Sequence, residues 1–198
     1  TVAIDMSSVT DVSRINLTGE AAADVGSVTG IVSGATVRIS DGNLIPTLDT
    51  AADATLTVDL HANSGRALTV TDAQTVNIVT TNAGTDTAVG SLALDAADTN
   101  TLTVTGSSTA GDTIATGNIT GSDEVTSVTA TSSATGSTNT VGTIADADGL
   151  TSITLTAEQA DASIGQVGTD ATANNAELLS SVTVSSSGTG VTATMGAI

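Results

Sequence analysis

The chain has 198 residues, enough for one elongated domain. Its 21 acidic residues stand against three arginines and no lysine, a net charge of −18, which excludes nucleic-acid binding and disfavours adhesion to an anionic membrane surface. Phe, Trp, Tyr and Cys are all absent, so there is neither an aromatic-filled globular core nor a disulfide or thiolate–metal framework.

Taken in order, the chain reads as short strands separated by Gly, Asn, Asp and Ser. Thr1–Met6 is already strand-like, so no signal peptide opens the chain. Arg14–Thr18 (RINLT) is the first looser strand, and Glu20–Asp24 is a single helical turn or a loop. Thr36–Ser40 (TVRIS) ends in the turn signal Asp41-Gly42-Asn43, and Pro46 suits a corner or a strand end. Thr55–Leu60, Thr75–Thr80 and Thr101–Gly106 follow, then Glu124–Ser132, Gly149–Ala157 and Leu178–Ser186. In Gly149–Ala157 the alternation sets Leu150, Ser152, Thr154 and Thr156 on one face and Thr151, Ile153, Leu155 and Ala157 on the other.

The first apolar residues of these copies are Ile15, Val37, Leu56, Val76, Leu102, Val128, Ile153 and Val182. Their gaps of 22, 19, 20, 26, 26, 25 and 29 residues drift as the coils of a solenoid do when loops vary. Weaker second strands follow most anchors, at Ser91–Leu94, Thr113–Thr120, Thr140–Ile144, Ser163–Val167 and Val191–Met195. Ala157–Ser163 and Thr169–Leu179 carry the helix-favouring runs, as short insertions or loops. The expectation is an all-β parallel β-helix, a β-solenoid of about eight irregular turns and roughly 40 Å length at the usual strand spacing. It forms one domain over residues 1–198, and both ends run into repeat-like sequence, as in a fragment of a longer protein. A hydrophobic content of 39% and a single proline argue against disorder.

Few residues suggest chemistry. His61 is the only histidine, and with Cys absent it cannot anchor a zinc site. Asp59 and Ser64 lie near it in sequence, yet no nucleophile elbow surrounds them, and an exposed His at a strand end is expected. Arg14 and Arg38 are expected to face solvent and pair with nearby Asp. Carboxylate pairs occur at Asp95 with Asp98, at Asp123-Glu124 and, best, at Asp146-Ala147-Asp148-Gly149. Alternating carboxylates before a glycine place hard oxygen donors on one side of a tight turn, so Asp146 and Asp148 are candidate calcium ligands. Pectin-cleaving β-helices need clustered Asp with basic residues and aromatic platforms, which this chain lacks, so no enzyme is expected.

The segments Gly149–Gly165, Leu178–Gly188 and Ala73–Thr80 resemble repeats of bacterial surface-layer and RTX-type proteins, which are Thr-, Ala- and Gly-rich, acidic and free of Cys. The resemblance implies a secreted, calcium-binding β-solenoid at the cell surface. The RTX nonapeptide G-G-x-G-x-D is absent, so its calcium ligands do not carry over. The expected function is structural, with copies of the chain forming a surface layer, sheath or filament and a cell-surface polysaccharide as a further partner. The rival is the repeat stalk of a secreted adhesin. No run of 18 apolar residues spans a membrane.

Overall fold

The computed structural model describes residues 2–18, 26–40, 46–61, 67–81, 86–94, 99, 101–106, 111–121, 123–168 and 176–198. Among these there is no helix. The strands are β1 (Val2–Asp5), β2 (Arg14–Leu17), β3 (Gly26–Ile31), β4 (Thr36–Ile39) and β5 (Thr47–Leu60). Then come β6 (Ala67–Val79), β7 (Thr87–Ala93), β8 (Thr101–Thr105), β9 (Ile114–Thr120) and β10 (Ser127–Ser132). The last five are β11 (Asn139–Val141), β12 (Ser152–Ala157), β13 (Ala162–Ile164), β14 (Ser181–Ser186) and β15 (Ala193–Met195).

Every pairing is parallel, and successive coils stack to build two walls. The first wall runs β2, β4, the end of β5, the end of β6, β8, β10, β12, β14; the second runs β1, β3, the starts of β5 and β6, then β7, β9, β11, β13, β15. This is the expected β-solenoid. It closes about six turns instead of eight. Among the described residues β2 and β14 each have a first-wall partner on one side only, so the end rungs are not enclosed as the interior coils are.

The anchors form the first-wall ladder. Leu56 opposes Val76, Val76 opposes Leu102, Leu102 opposes Val128, Val128 opposes Ile153, and Ile153 opposes Val182. Ile15 likewise opposes Val37. One step differs: Val37 opposes Val58, not Leu56. Leu56 and Val58 are both inward in the same alternation, so a period of two cannot choose between them.

The core is a column of stacked aliphatic residues. Leu102, Val104, Val128, Ala130, Ile153 and Leu155 are buried from the first wall, and Leu92, Ile119, Ile144 and Val167 from the second. Val, Ile, Leu and Ala fill this narrow space without aromatics, as the composition requires. Leu150 is an exception to the sequence-based face assignment. It is buried, because the strand begins only at Ser152 and Leu150 turns inward from the corner before it.

Three kinds of corner hold the coils. In β5 and β6 the bend is made by Asp53 and Asp72, with φ of 60° and 62°. Asp tolerates this left-handed conformation better than branched residues do. Pro46 immediately precedes β5, and its carbonyl accepts the Thr69 amide at 3.1 Å. The second wall turns at a glycine column: the registers place Gly90, Gly117, Gly142, Gly165 and Gly196 over one another. A Cβ on Gly117 would overlap the Gly90 carbonyl oxygen, and one on Gly196 would lie 2.7 Å from the Gly165 carbonyl carbon. Only glycine lets the coils come this close.

The expected insertion at Ala157–Ser163 is a bend that leads into β13. Glu20–Asp24 lies outside the described residues, as does the first part of Thr169–Leu179; residues 176–178 form a turn.

Candidate functional site

The Asp146–Asp148 turn lies between two pieces of regular structure. Ile144 bridges to Ile119 on one side and Val167 on the other, and β12 starts at Ser152. Ala147 and Leu150 point into the core, and the Leu150 amide donates to the Ala147 carbonyl at 3.1 Å. Burial of these two apolar residues fixes the turn, with Asp146 at φ 51°.

The preceding coil stacks its own acidic turn against this one. The Gly149 amide donates to the Asp123 carbonyl at 2.8 Å, and a Cβ on Gly149 would overlap that oxygen. Two of the three carboxylate pairs seen in the sequence thus come from adjacent coils. The third, Asp95 with Asp98, lies outside the described residues. Asp148 Oδ1 is buried and has no hydrogen-bond partner. A buried carboxylate oxygen is costly without a donor or a cation. Among the described residues no three or more His, Cys, Asp or Glu side chains gather as a metal-binding group.

A second polar cluster is better formed. Arg38 on β4 opposes Asp59 on β5, directly beside the Val37–Val58 step. Asp59 is only 1% exposed. Its Oδ2 accepts from Arg38 Nε at 3.0 Å and from Thr81 Oγ1 at 2.8 Å, and its Oδ1 accepts the Thr81 amide at 2.9 Å. Arg38 Nη2 lies 3.0 Å from Asp59 Oδ2 and donates to Thr81 Oγ1 at 3.1 Å. His61 Nε2 stands 3.2 Å from Asp59 Oδ2 and 2.8 Å from Thr81 Oγ1.

This corrects the expectation for His61. It is half-buried against Asp59 and Thr81, because three successive coils bring Arg38, Asp59–His61 and Thr81 to one place. It is not a triad: the carboxylate and the hydroxyl both meet the same ring nitrogen, whereas a relay needs one on each. Ser64 lies outside the described residues. Arg38 does pair with an Asp, as expected, and Arg14 is exposed. The sequence signal for this cluster was available: Arg38 follows Val37 as Asp59 follows Val58. Anchoring on Leu56 hid it.

A third use of carboxylates recurs between coils. Asp86 Oδ1 accepts the Thr113 amide at 2.9 Å, and Asp161 Oδ1 accepts the Thr192 amide at 2.7 Å. Each Asp thereby satisfies a backbone donor on the next coil, just before a second-wall strand. Hydrogen bonds from the Thr113 side chain and then its backbone hold the Asp86 carboxyl below its ordinary value. For Asp161 the Thr192 backbone bond leads and the side chain follows, in the same direction.

No family model, curated protein or solved structure matches this chain.

Proposed function

We propose that the chain is a structural protein of the cell exterior that associates with its own copies into a layer, sheath or filament. One observation carries this reading. Among the described residues, the exposed large hydrophobics are Ile4 and Val9 at one end of the stack and Leu178, Val182, Val184 and Ile198 at the other. Among the described residues the same ends carry strand edges with a partner on one side only, since β1 and β2 pair with β3 and β4 alone, and β14 and β15 with β12 and β13 alone. An open edge beside apolar side chains favours addition of another strand layer, whether from another copy or from further coils of a longer chain, and the assembly reading takes the first of these.

Charge opposes that addition. Each chain carries −18, and monovalent salt screens charges only beyond about 8 Å at physiological strength. Calcium offsets the repulsion by bridging carboxylates. The orphan Asp148 Oδ1, beside Asp146 and over the Asp123–Glu124 turn, supports this part of the reading. The Asp59 cluster fits the structural reading. Its carboxylate is saturated by Arg38, His61 and Thr81, so it clamps coils together.

Sedimentation with calcium and then with a chelator tests the proposal. Assembly in calcium that reverses in chelator is expected, and Asp146→Asn with Asp148→Asn should weaken the calcium response. A chain that stays monomeric in both conditions overturns the assembly reading, and an adhesin stalk then fits better. Equal assembly in chelator keeps the assembly and removes the calcium.

A further inference from the structure

The outward face of the first wall has an unusual uniformity from β8 to β14. Its outward positions are Thr101, Thr103 and Thr105 on β8, then Ser127, Thr129 and Thr131 on β10. On β12 they are Ser152, Thr154 and Thr156, and on β14 Ser181, Thr183 and Ser185. Every one is a hydroxyl residue. The pairings β8–β10, β10–β12 and β12–β14 carry no register shift, so the hydroxyl residues align in three straight columns. By contrast, β3–β5 and β5–β6 do shift register. The side chains are half-exposed on β8, β10 and β12 and exposed on β14.

The result is a two-dimensional grid. Columns repeat from strand to strand at about 4.8 Å, and alternate residues along a strand stand about 6.7 Å apart. The columns begin one coil earlier, with Thr75 opposite Thr101 and Asn77 opposite Thr103. The backbone ladder and the buried Leu102, Val104, Val128, Ile153 and Leu155 beneath make the grid stiff. Thr adds its own stiffness at χ1.

The chemistry of the grid narrows its partner. None of the chain's 21 carboxylates falls on it, so it holds no cation and makes no ion pair. There is no aromatic residue on which a sugar ring could stack. Protein interfaces depend on a few large anchors, chiefly Trp, Tyr and Arg, and the grid has none. It offers hydroxyls that can both donate and accept, with methyl groups at its threonines, on fixed spacings in both directions; Ser127 Oγ donates to Thr101 Oγ1 within the grid at 3.5 Å. A periodic surface recognises a periodic ligand. The ligand with matching groups is a water lattice, whose oxygens take both donors and acceptors and whose open cavities accept methyl groups.

We propose that this face binds ice, by ordering water on its hydroxyl and methyl grid into the layer that joins a growing crystal. Preorganisation is what makes the binding favourable: the side chains are already fixed, so little freedom is lost on contact. The inference is independent of assembly through the ends of the stack, since it uses a different surface.

Partition of the purified chain into slowly growing ice, together with inhibition of ice recrystallisation, tests it. The native chain should enrich in the ice. Thr154→Tyr, in the middle of the grid, should leave it in the liquid. Thr183→Tyr does the same on the end strand, where the replacement crowds only one neighbour. Thr140→Tyr, exposed on the second wall, should partition like the native chain. Circular dichroism confirms that each variant is folded. A folded native chain excluded from ice overturns the proposal. So does loss of partitioning in Thr140→Tyr, which would place binding elsewhere. If Thr154→Tyr breaks up a dimer and leaves ice partitioning intact, the face is a contact between copies and the proposal also fails.

Discussion

Strands β12 and β14 carry the same pattern and meet opposite fates. SITLTA pairs in register with SVTVSS, so Ile153 opposes Val182 and Leu155 opposes Val184. Yet Ile153 and Leu155 are fully buried, while Val182 and Val184 are 42% and 45% exposed. The difference lies in the neighbours: among the described residues β12 has β10 and β14 on its two sides, and β14 has only β12. Alternation decides which side chains point inward. Position in the stack decides whether inward means buried. In a solenoid each coil meets only the coils beside it, so stability is close to a sum of such contacts.

The largest effect should appear where an interior coil is forced away from its neighbour. Gly117→Ala places a Cβ on the Gly90 carbonyl oxygen, a backbone atom that cannot swing aside, with Gly142 closing the other side. A cost of about 4 kcal/mol or more is expected, in the range reserved for severe mechanisms. Gly196→Ala makes the same kind of collision with Gly165, but among the described residues β15 has a strand on one side only, so in this chain it can shift. Its cost should be less than half as large. Denaturant unfolding of both variants checks this, and equal costs would mean that the end coil is as rigid as the interior.

Next in size is core truncation. Ile153→Ala should cost about 2–5 kcal/mol as a buried large-to-small change. Val182→Ala, in register with it, should cost about 1 kcal/mol or less, since much of that side chain is already in water. Thr154→Ala, outward on the same strand as Ile153, should also fall near the small surface range of about 0.5 kcal/mol. If Val182→Ala costs as much as Ile153→Ala in a monomeric chain, burial does not follow stack position. If the Val182 cost rises only where the chain assembles, the β14 end is covered by another copy.

Much of the architecture was legible because one signal repeats. Alternation in TLTVT, SVTATS, SITLTA and SVTVSS gave both the strands and their inward faces, and the anchors from Leu56 to Val182 fell into register. Three things were less visible. The Val37–Val58 step was hidden by the equivalence of Leu56 and Val58 within one alternation. The Arg38–Asp59–His61–Thr81 clamp was hidden with it, since it depends on contacts across three coils and on no local motif. The glycine column was present in the letters, following Val89, Thr116, Val141, Ile164 and Met195, but its meaning depends on coils stacking directly above one another. For the Asp146–Asp148 turn, the residues were legible in the letters, and the structure added the buried Asp148 oxygen and the second acidic turn beneath.

The smallest effect tests the carboxylates that join one coil to the next. Asp86 serves an interior coil and Asp161 the end coil, each accepting a Thr amide from the coil that follows. Both have carboxyls lowered from 3.8 in the folded chain. A lowered folded pKa means that the unfolded chain takes up protons first as the pH drops. The stabilisation is therefore complete above about pH 4 and is lost as the pH falls through the lowered folded value. The native chain alone would not isolate this, because acid also neutralises the repulsion of 21 carboxylates, which acts in the opposite direction. The difference between the native chain and a single Asn variant does isolate it, since the repulsion is nearly common to both. Asn keeps an acceptor oxygen for the amide and lacks only the charge, so Asp86→Asn and Asp161→Asn should each lower the unfolding midpoint slightly at pH 6. As the pH falls through the lowered folded value that gap should narrow toward zero, because the native carboxyls then become neutral as well. The Asp86→Asn change should appear in global unfolding. The Asp161→Asn change should appear first in faster amide exchange around Thr192, where an end coil opens by itself. A gap that stays constant as the pH falls from 6 until the native carboxyls are neutral would show that the amide bond matters through its geometry alone, with the charge contributing nothing.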